Sequence, residues 1–384
     1  MIKNYLIAPG PTPVPPRVLL AMAQPIIHHR TPQFSSIFAD AKRDLKSVFQ
    51  TAQDVLILAA SGTGAMEGSV TNLFSPGDEV LVINGGKFGE RWTKIATTYG
   101  LKARELRVEW GRSAHVESVR QALAEHRSIR GVLMQASETS TGALHPTEEI
   151  AKLTRQSDAL LIVDGITAVG VFDVPMDRWG VDVLITGSQK ALMLPPGLAF
   201  AALSERAWQR TKEAKLPRFY FDFARERDNL AKDTTAWTPA ISLITGLREA
   251  LAIMLEEGLP NVFARHARLA AATRAAATAL NLRLVAPDAP SPALTSIFVP
   301  DDVDGGKLVG YLRDRMGVTF MGGQDQLKGK IVRIGHLGHT GAFDIITAIA
   351  AFEMALRHFG HPLELGRGVA AAQAVLMEAL PPRS

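Results

Sequence analysis

The sequence predicts an α/β protein with a mainly parallel, doubly covered sheet, followed by a smaller α+β unit. Short apolar runs alternate with helical segments through the first two thirds of the chain, and this alternation ends near residue 240. Apolar runs of this kind are typical of strands that are buried on both faces. Strands that alternate with helices at this spacing indicate βαβ units.

Five apolar runs are predicted as strands of the large sheet, at 54–60, 79–83, 131–135, 159–164 and 182–186. Helices are predicted between them, at 88–99, 116–125 and 147–155. In such sheets, ligands bind beyond the carboxyl ends of the strands. Polar residues that follow the strands are therefore the candidates for chemistry.

The later part of the chain has a different pattern. Long helices are predicted at 241–258 and 262–280, strands at 282–285, 295–299 and 331–334, and helices at 345–359 and within 365–384. The proline-rich opening predicts an extended arm. We therefore divide the chain into an N-terminal arm (1–20), a large domain (21–255) and a small C-terminal domain (256–384).

Composition excludes several classes of protein. Of the 384 residues, 47% are hydrophobic and 21% are charged, which argues against a disordered or fibrous chain. The net charge is +4, and the basic residues are scattered along the chain. A mixed, solvated surface is therefore favoured over a nucleic-acid binding surface. The sequence shows neither a transmembrane run nor a signal peptide, so we expect a soluble, cytoplasmic protein that does not bind membranes.

Lys190 follows the strand predicted at 182–186, after the small residues Gly187 and Ser188 and before an apolar Pro-Pro-Gly turn. A surface position explains most lysines, but these neighbours are not those of a solvated loop. An amine in a dry setting can lose its proton near neutral pH and form a Schiff base.

Asp164 ends an otherwise apolar predicted strand. A carboxylate there needs a cation or a donor, and an isolated one is more often a helix cap or a core acceptor. Its distance along the chain from Lys190 equals one strand-to-strand step, so both side chains would emerge at the same sheet edge. Pyridoxal phosphate requires such a pair, with aspartate on the pyridinium nitrogen and lysine on the aldehyde carbon.

The segment Ser61-Gly62-Thr63-Gly64 follows a predicted strand and leads into a helix. Glycines and a helix N-terminus suit a phosphate group. A nicotinamide-dependent dehydrogenase is the alternative for this loop. Glu67 stands where the third glycine of that motif belongs, and the next strand lacks the ribose-binding acid.

Together these features resemble the class V aminotransferase family of fold-type I pyridoxal-phosphate enzymes, and in particular the alanine–glyoxylate and serine–glyoxylate aminotransferases. The resemblance covers nearly the whole chain and includes the strings at 8–13, 61–64, 138–142, 163–164, 187–192, 195–197, 238–239 and 332–335. It implies a large domain with a seven-stranded, mainly parallel sheet and a homodimer whose active site lies at the subunit interface.

The resemblance also implies roles for individual residues. Lys190 would bind the cofactor and move the proton from the donor's α-carbon, and Asp164 would pair with the pyridinium nitrogen. Phe88 matches the residue that stacks on the ring, where many relatives have tryptophan. The residues implied to hold the rest of the cofactor are Ser61, Gly62, Thr63 and Gln189 at the phosphate, Thr139 near the phenolic oxygen, and Thr238 reaching the phosphate of the other subunit.

Arg333 lies in the strand predicted at 331–334. A guanidinium can hold an α-carboxylate by two parallel hydrogen bonds. The pattern alone equally suits an exposed arginine on an edge strand, whereas the resemblance implies substrate binding. His28, His29 and Arg30 could line the entrance, but surface turns of this composition are common and we assign them no role.

The sequence thus predicts a homodimeric aminotransferase that moves the amino group of alanine or serine to glyoxylate or pyruvate with ping-pong kinetics. The alternatives are an aspartate-, phosphoserine- or aminoethylphosphonate-type aminotransferase, a kynureninase-like lyase or hydrolase, and, least favoured, a non-enzymatic subunit. The chain contains no cysteine. This excludes disulfides, thiolate metal sites and a cysteine desulfurase, which needs a thiolate to accept sulfur.

Overall fold

The computed structural model describes residues 2–378. The strands there are β1 (Tyr5–Leu6), β2 (Val55–Ala60), β3 (Glu79–Asn84), β4 (Lys102–Arg107), β5 (Ile129–Gln135), β6 (Ser137–Glu138), β7 (Ala143–Leu144), β8 (Leu160–Asp164), β9 (Val183–Gly187), β10 (Gly197–Leu203), β11 (Leu294–Phe298), β12 (Val318–Thr319), β13 (Met321–Gly322) and β14 (Ile331–Gly335).

The α-helices of the described chain surround these strands. They are α1 (Pro16–Met22), α2 (Pro32–Phe49), α3 (Gly62–Leu73), α4 (Lys87–Thr98), α5 (Val116–Glu125), α6 (Thr147–Thr154), α7 (Met176–Trp179), α8 (Glu205–Glu213), α9 (Phe223–Leu230), α10 (Ile241–Glu257), α11 (Leu259–Ala279), α12 (Gly305–Met316), α13 (Ala342–His358) and α14 (Arg367–Met377). A short 3₁₀ turn spans Asp325–Leu327.

The central sheet has seven strands in the order β2-β10-β9-β8-β5-β3-β4. Only β10 runs antiparallel to its neighbours, so the predicted mainly parallel seven-stranded sheet is confirmed. Two of its strands were not predicted. The edge strand β4 is rich in charged residues and partly exposed, so it lacks an apolar run, whereas β10 follows the Pro-Pro-Gly turn without a helix before it.

The later part of the chain forms a smaller antiparallel sheet in the order β11-β14-β13. The strand predicted at 282–285 is wrong, because that segment makes only an isolated bridge between Leu284 and Ile297. The helix predicted within 365–384 is observed as α14. Residues 379–384 of that prediction lie outside the described residues.

Two apolar cores organise the fold. The larger core runs from Val18 to Val262 and packs around the seven-stranded sheet, and a second core joins Ile7 to residues between Ala277 and Leu356. The arm contributes to the second core because β1 pairs in parallel with β12. The division at residues 20 and 255 stays a prediction. In the described chain, no helix is long and apolar enough to cross a membrane.

Candidate active site

Asp164 is the last residue of β8 and is only 5% exposed. Its Oδ1 accepts a hydrogen bond from the Ile166 N–H at 2.8 Å. Burial raises the pKa of Asp164 to about 7, although that hydrogen bond acts in the opposite direction. Beside it in the sheet lies Gln135, a completely buried amide whose oxygen and nitrogen have no partner among the described residues. The carboxylate therefore has acceptor capacity that this chain leaves unused.

Lys190 follows β9, the strand next to β8, as the sequence predicts. Its Nζ donates to the main-chain oxygen of Pro9 at 2.7 Å. Burial lowers the pKa of Lys190 to about 8, although the negative charge of Asp164 acts to raise it. At pH 7 roughly a tenth of this amine is therefore unprotonated, far more than for an ordinary lysine, and this is the state that attacks a carbonyl carbon.

The N-terminal arm closes over Lys190, a contact that the sequence did not reveal. The Thr12 N–H donates to Gln189 O at 3.1 Å, and the Thr12 hydroxyl donates to Lys190 O at 2.9 Å. Gly10 adopts φ 130°, a conformation that favours glycine, and a Cβ there would collide with Lys190 Nζ. The main chain of the arm therefore packs directly against the Lys190 amine.

The predicted phosphate loop precedes the first turn of α3. Ser61 is the N-cap residue and makes no side-chain cap, although its main-chain oxygen accepts from the Gly64 N–H at 2.8 Å. The N–H groups of Gly62 and Thr63 are left to another acceptor. A Cβ built at Gly187 would lie 3.0 Å from Gln189 Oε1 and 3.6 Å from the Gly62 nitrogen. The Gln189 amide and the loop are therefore adjacent, and Gln189 Oε1 is buried without a partner in the described chain.

Phe88 lies in the first turn of α4 and is half-buried. The guanidinium carbon of Arg91, one turn further along, is 4.8 Å from the centre of its ring. Arg91 Nη1 also donates to the Thr63 hydroxyl at 3.0 Å. Arg91 thus connects the predicted stacking residue to the predicted phosphate loop. Its spacing of three residues from Phe88 on a predicted helix was the only signal for it in the sequence.

Arg333 lies on the central strand of the small sheet and is only 5% exposed, so it is not an exposed edge-strand residue. Its Nε donates to Gly322 O and its Nη1 to Thr139 O, both at 3.0 Å. Burial lowers its pKa to about 10, and the charge of Glu138 opposes this effect. In the described chain no acceptor binds Nη2, which leaves one edge of the guanidinium to a ligand.

Thr139 is buried, and its hydroxyl lies 2.9 Å from the Thr167 hydroxyl. Thr238 is exposed in the loop before α10. The crevice that Thr238 lines contains no other predicted site residue of the same described chain. His28 and His29 stack on each other at 4.6 Å in a largely exposed turn with Arg30.

The family model for aminotransferase class V matches residues 4–335. The chain belongs to the class V aminotransferases. This membership makes it an aminotransferase with pyridoxal phosphate as its cofactor, and the matched range includes every predicted site residue.

The proteins similar to this class V aminotransferase are named for different functions. It is 44% identical to the soluble hydrogenase small subunit of a Synechococcus species, over 98% of this chain and 99% of the relative. It is 38% identical to the L-aspartate–glyoxylate aminotransferase of Paracoccus denitrificans, over 97% and 96%. The structure of alanine–glyoxylate aminotransferase from a Nostoc species shares 32% identity and a TM-score of 0.89, over 93% and 96%.

The residues present fit the cofactor of this family. Asp164 has spare acceptor capacity, Lys190 has a lowered pKa, and the side-chain amide of Gln189 lies beside the N-terminus of α3, where the N–H groups of Gly62 and Thr63 are donors. An acceptor, an amine that can lose its proton and a set of N–H donors are what a protonated ring nitrogen, an aldehyde carbon and a phosphate require.

Proposed function

We propose that the enzyme transfers the amino group of a small amino acid, alanine or serine, to glyoxylate or pyruvate. One observation carries this proposal: Asp164, Lys190 and Arg333 converge on one buried site from two different sheets. Asp164 and Lys190 lie at the ends of the neighbouring strands β8 and β9. Lys190 Nζ donates to Pro9 O at 2.7 Å, and a Cβ built at Gly335, two residues after Arg333, would lie 2.8 Å from the Pro9 nitrogen. Carboxylate binding, proton transfer and a cofactor partner are thus available together.

Each residue has a separate part in this proposal. Nη1 and Nη2 of Arg333 hold the substrate carboxylate and orient the α-carbon. The Lys190 amine takes the proton from the donor's α-carbon and delivers it to the cofactor's side of the site, since its lowered pKa keeps it basic yet partly unprotonated near neutral pH. When bound, pyridoxal phosphate carries the amino group and withdraws electrons from the α-carbon, and Asp164 stabilises its positive ring nitrogen.

The remaining predicted residues would hold the cofactor in place. Phe88 would stack on the ring with Arg91 behind it, and Ser61, Gly62, Thr63 and Gln189 would bind the phosphate. Thr139 would lie at the phenolic oxygen. We propose a homodimer in which Thr238 completes the phosphate site of the partner subunit, because within its own chain it lies exposed and apart from the other residues.

Aspartate is the second candidate donor. The Paracoccus relative is named for it, and Arg91 is a second guanidinium whose charge acts on both Lys190 and Asp164. A side-chain carboxylate would need such a cation. We favour the smaller donors because Arg91 already binds Thr63 and covers Phe88.

The Synechococcus relative suggests a role as a hydrogenase subunit. With no cysteine, this chain supplies no thiolate to an iron–sulfur cluster or to a nickel or iron centre. The intact Asp164, Lys190 and Arg333 instead support amino transfer.

The test is the absorbance spectrum of the purified protein loaded with cofactor, recorded before and after each donor is added without an acceptor. We expect alanine or serine to convert the bound-cofactor band and glyoxylate or pyruvate to restore it. Faster conversion by aspartate would favour the second candidate. A protein that binds no pyridoxal phosphate, or whose band responds to none of these donors, would contradict the proposal.

A further inference from the structure

Glu138 ends the short strand β6, and its side chain is completely buried. Its carboxylate accepts hydrogen bonds from the N–H groups of Phe88 at 3.2 Å and Gly89 at 3.1 Å, in the first turn of α4. It also accepts from the Ser140 N–H at 3.1 Å and the Ser140 hydroxyl at 2.5 Å. Glu138 therefore ties the turn that carries Phe88 to the loop that carries Thr139.

The main chain before α4 passes directly over this carboxylate. A Cβ built at Gly86 would lie 2.6 Å from Glu138 Cγ and would collide with the Ser140 hydroxyl. Burial raises the pKa of Glu138, whereas the hydrogen bonds from Ser140, Gly89 and Phe88 act in the opposite direction. The partial positive charge of the helix N-terminus also favours the ionised carboxylate. The position of Phe88 thus depends on the length of the Glu138 side chain.

Glu138 also lies beside the substrate arginine. Arg333 Nη1 donates to the main-chain oxygen of Thr139, the residue that follows Glu138. In the described chain, both hydrogen bonds of the Arg333 guanidinium go to main-chain carbonyls, and the charge that favours its protonated form is that of Glu138. The Thr139 carbonyl therefore holds the guanidinium next to Glu138, although the two side chains share no hydrogen bond among the described residues.

Resting on the proposed roles of Phe88 and Arg333, we propose that Glu138 is a positioning residue with two separable functions. The reach of its side chain sets the position of Phe88 and hence the affinity for the cofactor. Its negative charge moderates the affinity of Arg333 for a carboxylate, so that the product acid can leave. The sequence string that contains Glu138 carries no sign of either function, because both depend on α4 and β14.

Two substitutions separate reach from charge. Glu138→Asp keeps the charge but shortens the side chain, so the hydrogen bonds to the first turn of α4 are lost. We expect the dissociation constant of pyridoxal phosphate from the apoenzyme to rise roughly tenfold, while propionate binding to the holoenzyme changes little. Glu138→Gln keeps the length but removes the charge, and its NH2 group cannot accept the hydrogen bonds of one carboxylate oxygen. Propionate binding is therefore its readout, and propionate should bind roughly 3- to 10-fold more tightly. Cofactor titration and calorimetry with propionate give these constants without turnover.

Glu353 provides a matched control. It is another buried glutamate, 2% exposed, that accepts from the N–H groups of Gly366, Gly368 and Val369 at the start of α14. Glu353→Gln changes the same chemical group in the other unit of the fold. It should lower thermal stability and leave both dissociation constants at their wild-type values, because neither Phe88 nor Arg333 contacts it.

The outcomes decide between the two functions. If Glu138→Gln leaves propionate binding unchanged or weakens it, the charge has no moderating effect and Glu138 is only structural. If Glu138→Asp leaves cofactor affinity unchanged, the reach has no role. Arg333→Gln should abolish propionate binding, and retained binding there would overturn the proposed role of Arg333 rather than that of Glu138.

Gly86→Ala tests the reach function if either Glu138 variant fails to fold. Its Cβ displaces the Glu138 carboxylate from α4 while the charge remains. Cofactor binding should weaken and propionate binding should not tighten. Tighter propionate binding in Gly86→Ala would overturn the separation of reach from charge.

Discussion

Two buried aspartates on neighbouring strands show how the two edges of the central sheet differ. Asp182, at the amino-terminal edge just before β9, accepts from the Leu161 N–H at 2.9 Å and the Ser204 hydroxyl at 2.8 Å, with Arg206 Nε 3.8 Å away. Asp164, at the carboxyl-terminal edge, accepts from a single N–H group among the described residues. Burial raises the pKa of both carboxyls.

The difference lies in what the surrounding chain provides. Asp182 is held by groups that fold with it, so it connects β9 to β8 and α8. Asp164 is left with unused acceptor capacity beside the unpartnered amide of Gln135 and the amine of Lys190. Buried polar groups are normally satisfied, so a concentration of unsatisfied ones at one edge indicates a ligand there.

Lys190→Ala is the substitution with the largest expected effect. It removes the group that we propose to bind the cofactor covalently and to move the α-proton, so turnover should fall at least ~10³-fold. Thermal stability should stay the same or rise, because a desolvated amine is removed. Steady-state kinetics and thermal unfolding measure both. Turnover within tenfold of the wild type would contradict the assignment.

Asp164→Asn should lower kcat by roughly 10²- to 10³-fold, because the preorganised charge beside the cofactor ring is lost. The isosteric amide can still accept from the Ile166 N–H, so the free energy of unfolding should not decrease. Single-turnover absorbance with a donor gives the rate, and chemical denaturation gives the stability. A loss of stability with unchanged kcat would make Asp164 a structural residue like Asp182.

The sequence predicts the large sheet and its edge because apolar runs and the polar residues that end them are local features. Lys190 and Asp164 are found this way, whereas Arg333 takes its predicted role from the resemblance. Sequence does not reveal Pro9, whose contribution is a main-chain oxygen that any residue would supply. Arg91 was missed since a charged helix residue looks the same whether it faces solvent or a ring. Contacts between distant segments are what patterns cannot show.

Asp182→Asn should have the opposite effect to Asp164→Asn. It removes the charged group that accepts hydrogen bonds from two buried donors, so the free energy of unfolding should fall by about 1–3 kcal/mol. The kcat of the folded enzyme should stay at its wild-type value, because the amino-terminal edge contacts no predicted site residue. Denaturant titration and kinetics at a temperature well below unfolding test this. A reduced kcat in a fully folded variant would contradict the prediction that only the carboxyl-terminal edge of the sheet takes part in turnover.

The pH dependence of Lys190 gives the smallest and sharpest test of the comparison. In the apoenzyme, the amine reacts with an aldehyde only when unprotonated, so the rate of reaction with pyridoxal phosphate should rise with pH through a midpoint at about pH 8 and level off at higher pH. The ionised Asp164 favours the protonated amine. Its replacement by asparagine therefore lowers the pKa of Lys190, and the midpoint of the rise moves to lower pH. Asp182→Asn leaves the midpoint unchanged, because Asp182 lies at the other end of the strands. An equal shift in both variants would mean that the effect is general to the protein's charge rather than to the site.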